Sequence, residues 1–264
     1  SVANVIEGAG TLEKDGAGTL TLSGTNTYSG TTQLTDGILE VTNNNALGTS
    51  AITANGGTLR GTVDGINLDN NVTLNSDLTV DQDTGIGLTL SGILSGGSGL
   101  FKEGDGDLTL SGANTFTGDA VVNGGSLALS GGSAIDDTVK VNLNDASADL
   151  TLNNNETIGN LIGGGTVSLG SNTLTIANAD GSVYGGVISG TGGLTVDSTD
   201  ETFILSGANT YTGDTTITDG TLLTAGSGVI ADTSDVNVTG TLTLGGSETV
   251  GDLSGSGTVD NGGN

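Results

Sequence analysis

The sequence predicts an all-β fold, a right-handed parallel β-helix (β-solenoid) running as one continuous segment over residues 1–264. Three observations predict it. A motif recurs without gaps, apolar and polar residues alternate inside it, and equivalent inward positions lie about nineteen residues apart.

The motif has three copies. Residues 18–41 read GTLTLSGTNTYSGTTQLTDGILEV, residues 106–129 read GDLTLSGANTFTGDAVVNGGSLAL, and residues 201–224 read ETFILSGANTYTGDTTITDGTLLT. Their common spine is Leu-Ser-Gly, then Asn-Thr-aromatic-x-Gly, then a Gly seven positions on. A second repeat type relates 150–172 to 242–264 at an offset of 92, both copies carrying Glu-Thr-(Ile/Val)-Gly and then Gly-x-Gly-Thr-Val. Copies of the longer motif, judged by Leu22, Leu110 and Leu205, start 88 and 95 residues apart, which is expected to be roughly five coils.

Alternation assigns the strands. Thr19-Leu20-Thr21-Leu22 and Asp107-Leu108-Thr109-Leu110 have the period of a strand with one buried face. In the third copy Ile204 breaks the alternation, but Phe203 and Leu205 keep the inward positions. Gly, Asn and Asp bound the strands, residues that tolerate positive φ in turns.

The step between strands selects the solenoid. Leu20 to Leu39, Leu108 to Leu127 and Phe203 to Leu222 are each nineteen residues apart, and Leu39 to Leu59 to Leu78 are twenty and nineteen. In a parallel solenoid each strand lands on its counterpart one coil away, ~4.8 Å distant, so Leu20 is expected under Leu39 and Leu22 under Val41. An antiparallel sandwich or barrel would instead show hairpin pairs at variable spacing. The length corresponds to about fourteen coils and a rod of about 65 Å.

Composition narrows the chemistry. Fifty glycines without proline exclude collagen and disfavour long helices. Cys, His and Met are absent, which removes thiol nucleophiles, imidazole bases and the commonest transition-metal ligands. Thirty acids against Lys14, Arg60, Lys102 and Lys140 give a net charge of −26, so nucleic acids and anionic membranes are repelled. No apolar run reaches the ~20 residues of a membrane-spanning helix.

The strings LSGANTFTG, LSGANTYTG with its following TTITDGTL, and GGVISGTGGLTV resemble the passenger-associated repeats of bacterial autotransporters. The resemblance covers nearly the whole chain. It implies a β-helical passenger exported through a C-terminal outer-membrane barrel of the same polypeptide, and a place outside or on the surface of a Gram-negative cell. Barrel-type strands are absent from this sequence, so it is expected to be a section of passenger. Ser1 opens neither with Met nor with a signal-peptide pattern. The second copy of the shorter repeat stops at Asn264, where the first continues from Asn172 into Thr173–Ile176, so the sequence is expected to be a mature product or excised piece cut in mid-coil.

Several residues invite a sharper reading. Gly104-Asp105-Gly106-Asp107, preceded by Glu103, matches one partial copy of the Gly/Asp-rich nonapeptides that bind calcium in β-rolls, but a working roll needs tandem copies and an ordinary solvated turn is expected. Asp136-Asp137 and Asp200-Glu201 read as exposed charges. Asn43-Asn44-Asn45 and Asn153-Asn154-Asn155 could be sugar-binding amides, yet turn Asn residues that support positive φ and local side-chain bonds are the expected role. Tyr28, Phe116 and Tyr211 are too far apart for a glycan platform and are expected to pack the turns. β-Helical lyases use acid-held calcium and a base, and no basic residue follows Lys140; glycoside hydrolysis needs two carboxylates in a singular cleft, which acids in repeated turns do not form. No catalytic, cofactor or metal site is assigned. The expected role is a structural or adhesive surface segment meeting a host-cell, glycan or surface ligand. The alternative is a filament or matrix subunit stacking end to end with copies of itself, without nucleic acid or direct membrane insertion.

Overall fold

In the computed structural model, which describes residues 1–262, the alternation is realised as thirty strands, mostly of two to four residues, in parallel ladders, an all-β solenoid of about twelve turns. Fewer turns form than the expected fourteen because nineteen residues is the step inside the motif, while most other turns are longer. Among the described residues no helix is long and apolar enough to cross a membrane. The chain falls into two compact units, Ser1–Ile135 and Asp136–Asn264. Gly263 and Asn264, where the shorter repeat's second copy ends, lie outside the described residues.

Strands are numbered in chain order. In the first unit, one face stacks β2 (Thr19–Leu22), β4 (Ile38–Val41), β6 (Thr58–Gly61), β9 (Leu78–Asp81), β12 (Leu100–Glu103) and β15 (Ala120–Val122). A second face stacks β7 (Ile66–Leu68), β10 (Gly87–Leu90), β13 (Asp107–Leu110) and β16 (Ser126–Leu129). The third runs from β1 (Leu12–Lys14) to β14 (Thr115–Phe116). Like residues stack on like: Leu68, Leu90, Leu110 and Leu129 form one fully buried column, each contributing ~1.5–3 kcal/mol.

Register follows the expectation in the motif and departs from it between motifs. Leu20 meets Leu39, Leu22 meets Val41, Leu39 meets Leu59 and Leu108 meets Leu127. Leu59 lands on Val80, however, and not on Leu78, which instead meets Leu100. A slip of two residues leaves every side chain on its own face, so the apolar pattern alone does not separate Leu78 from Val80.

The motif is also out of phase with the turns. Four turns carry Leu20 through Leu39, Leu59 and Val80 to Lys102, six residues short of Leu108, its motif equivalent. Leu108 sits in β13 on the next face. The 88-residue unit therefore spans four turns and part of a fifth, not five, and the same motif is built on different faces of the first unit.

In the second unit, Ile158, Ile176, Val196, Ile217 and Val238 form a buried column. Phe203 meets Leu222 as expected, and both are fully buried with Leu205, while Ile204 points away from the core. Steps here vary from Leu150 onto Val167 to Val167 onto Ile188, because the corners take up different numbers of residues.

Candidate functional site

The Asn of the spine ties its turn to the neighbouring turns in every copy. The Asn26 side-chain oxygen accepts the N–H of Ile6 at 2.8 Å, and its amide donates to the Ala46 carbonyl at 2.5 Å, one turn back and one turn forward. Asn114 does the same with Leu94 N–H and Ala134 O, and Asn209 with Ile188 N–H and Val229 O. All three are buried, where an unpaired amide would be costly.

The aromatics are interior. Tyr28, Phe116 and Tyr211 are at most 1% exposed, so they pack the turns as expected. The Tyr28 hydroxyl bonds the Thr32 hydroxyl at 2.7 Å, and that bonds Ser50 at 2.9 Å. Tyr211, Thr215 and Ser234 repeat the relay at 2.6 and 2.8 Å. Burial raises the pKa of both phenols, that of Tyr211 to about 12, against hydrogen bonds that lower it. In the middle copy Phe116 and Ala120 stand at the Tyr and Thr positions, so both hydroxyls are missing together. Losing both partners is cheap and losing one strands the other. Thr215→Ala is accordingly expected to cost ~1–3 kcal/mol, and Tyr211→Phe added to it to cost less than the sum of the singles; a double-mutant cycle in urea checks this.

A feature the sequence reading passed over lies just upstream of the motif. Lys14 and Lys102 stand 88 residues apart in Leu-Glu-Lys and Leu-Phe-Lys, and both side chains are buried at the end of their strands. The Lys102 ammonium donates to the carbonyls of Glu103 (2.8 Å), Gly104 (2.7 Å) and Gly124 (3.1 Å). Lys14 donates to Gly16 (2.6 Å), Asp36 (2.7 Å) and Asp15 (3.5 Å). Each clamps its own turn to the next. Extending the alignment upstream to residues 12 and 100 would have found them. In the third copy the equivalent inward position, facing Ile217 as Lys14 faces Leu34 and Lys102 faces Val122, is held by the buried Val196.

The family model for the passenger-associated transport repeat matches residues 12–41, 100–129 and 200–223, the first two beginning where the clamping lysines' strands begin. The chain is also 37% identical over 243 residues to the adhesin BmaC autotransporter of Brucella suis biovar 1 (strain 1330). This chain is a repeat-bearing autotransporter passenger segment. The match covers 79% of the segment but only 7% of that relative's length. No solved structure matches. Passenger repeats of this kind place the segment outside or on the surface of a Gram-negative cell.

The passenger segment disposes of its other candidate residues in turns and on strands. In Glu103–Asp107 the carbonyls of Glu103 and Gly104 face the Lys102 ammonium, Glu103 accepts from Asn123 at 2.5 Å, and the side chains of Asp105 and Asp107 are exposed. Asp136 accepts the N–H and hydroxyl of Thr138 (3.0 and 2.6 Å), which lowers its pKa, and Asp137 is exposed. Asp200 and Glu201 are exposed, and Asp200 has φ +59°. Among the described residues it is the one non-glycine at positive φ, so Asn43–Asn45 and Asn153–Asn155 do not serve by positive φ as expected. The other half of their expected role is seen, side-chain bonding: Asn43 accepts Asn45 N–H, Asn44 accepts Asn67 N–H, and Asn155 accepts Thr173 N–H. Lys140 pairs with Asp180 at 2.9 Å; bonds from Ser182 first, then Lys140, hold Asp180 at about 2. Among the described residues no three carboxylates converge as a metal site.

Proposed function

We propose that this passenger segment is an adhesive stretch of the surface protein, presenting ligand-binding side chains on a stacked scaffold and carrying out no reaction. The observation that supports this most directly is the 37% identity to a protein named an adhesin, sustained over most of the segment. The chemistry agrees with it. The recurring Asn, Tyr, Thr and Lys residues are buried and spent on tying turn to turn, so variation is free to collect on outward positions. The absence of His and Cys leaves carboxylates as the main acid–base groups, and they are spread over turns and strands alike. The partners consistent with this are host-cell or surface ligands, met by side chains and not by net attraction, since the segment's charge of −26 repels most cell surfaces.

The test is to couple the segment to inert beads and count those retained on an epithelial cell layer under flow, at physiological salt. Retention well above that of albumin-coated beads, and competed away by free segment, is expected. Retention equal to the albumin control would overturn the adhesive reading.

A further inference from the structure

Five of the six aromatic residues are buried in the core: Tyr28, Tyr184, Tyr211, Phe116 and Phe203. Phe101 is the exception. It lies on β12 at an outward position, between Thr79 one turn back and Val121 one turn on, and is partly exposed. The motif does not require it, since the first copy has the exposed Glu13 at the equivalent place. Phe101 and Val121 line a surface recess of about 320 Å³, with Asp77, Ser98 and Asp119 around it. Asp77 is oriented there, because one of its carboxylate oxygens accepts the Gly99 N–H at 2.7 Å, leaving the other for a ligand. Asp119 is exposed.

We propose that this recess binds one ring of a neutral saccharide, with the C–H face of the sugar on Phe101 and its hydroxyls donating to Asp77 and Asp119. The proposal rests on the adhesive reading and gives it a ligand class. A partly exposed aromatic supplies apolar contact at low entropic cost. Flanking carboxylates accept hydroxyl protons strongly, because hydrogen bonds with one ionised partner are the stronger kind. The same carboxylates, in a chain of charge −26, turn away uronic and sialic acids. The volume lies at the small end of ligand sites and suits a single terminal ring more than an extended chain.

Saturation-transfer NMR on the full 264-residue chain would test this, with the methyl glycosides of galactose, glucose, N-acetylglucosamine and glucuronic acid as probes. At least one neutral glycoside is expected to receive saturation through its ring C–H protons, with glucuronide silent. Phe101→Glu installs the residue of the first copy at an outward position, so unchanged circular dichroism is expected alongside binding weaker by roughly tenfold or more. Silence from all neutral glycosides, a signal as strong from glucuronide, or binding that survives Phe101→Glu would each overturn the proposal. Beads that adhere while no glycoside binds would leave the adhesive reading standing and remove this one. Glycoside binding without bead adhesion would do the reverse.

Discussion

Gly125→Ala should lower the stability of the segment by about 4 kcal/mol, the sum of two independent penalties. Gly125 has φ +63°, a conformation costing an L-residue roughly 1–2 kcal/mol. An added Cβ would also lie 2.1 Å from the Gly106 carbonyl oxygen of the preceding turn, and a backbone atom cannot swing aside. Overpacking of that kind costs ~1–3 kcal/mol. The motif equivalents Gly37 and Gly220 share both properties, with positive φ and carbonyl oxygens at 2.4 and 2.0 Å. This is why the spine ends on glycine: successive turns touch backbone to backbone there. Gly18 has neither property, so Gly18→Ala should shift stability by no more than ~0.5 kcal/mol. Urea midpoints read by far-UV circular dichroism separate the two, and equal midpoints would refute the close-approach account.

Lys102→Met should cost about 3 kcal/mol. Two effects compete. Burying an ammonium is expensive, and replacing a buried charge by an apolar side chain of similar length is often harmless when its partner goes too. Here the partners are backbone carbonyls of Glu103, Gly104 and Gly124, which no substitution removes, so satisfaction of the carbonyls decides the outcome. The pH dependence gives a second readout. Burial lowers the Lys102 pKa, with the charges of Asp107, Asp81, Asp105 and Glu103 pulling it back up. The folded chain thus binds this proton less tightly than the unfolded chain. The stability Lys102 contributes is least below its folded pKa, and grows as pH climbs from there to the ordinary lysine value of ~10.4. The gap between wild type and Lys102→Met should widen as pH climbs toward that ordinary value. A gap that is constant or narrows would show that the ammonium is not desolvated as described.

Much of the architecture was legible because solenoid strands obey a local rule. Alternation at Leu20, Leu22, Leu108 and Leu110 identified the inward face, and the nineteen-residue step identified the correct partners wherever a motif copy covered both strands. Legibility ended at the corners. The turn after β6 takes extra residues, and since a two-residue slip preserves the inward set, Leu78 and Val80 were equivalent on the page. Of the site, the aromatic burial was readable from its repetition, whereas Phe101 was invisible because no copy shares it. The lysine clamps were missed for a different reason. A charged residue at an inward strand position reads as a break in the alternation until the carbonyls that surround it are known.

The phase difference between motif and turn also bears on how such a chain lengthens. Leu20 and Leu108 occupy different faces of the first unit, and the motif folds on each. A duplicated stretch of coding sequence therefore need not contain a whole number of windings to be accepted, because more than one face can receive the incoming copy. Growth by copying is limited by the match of backbone to backbone at the seam and not by angular position, which leaves passenger length open to change in small increments.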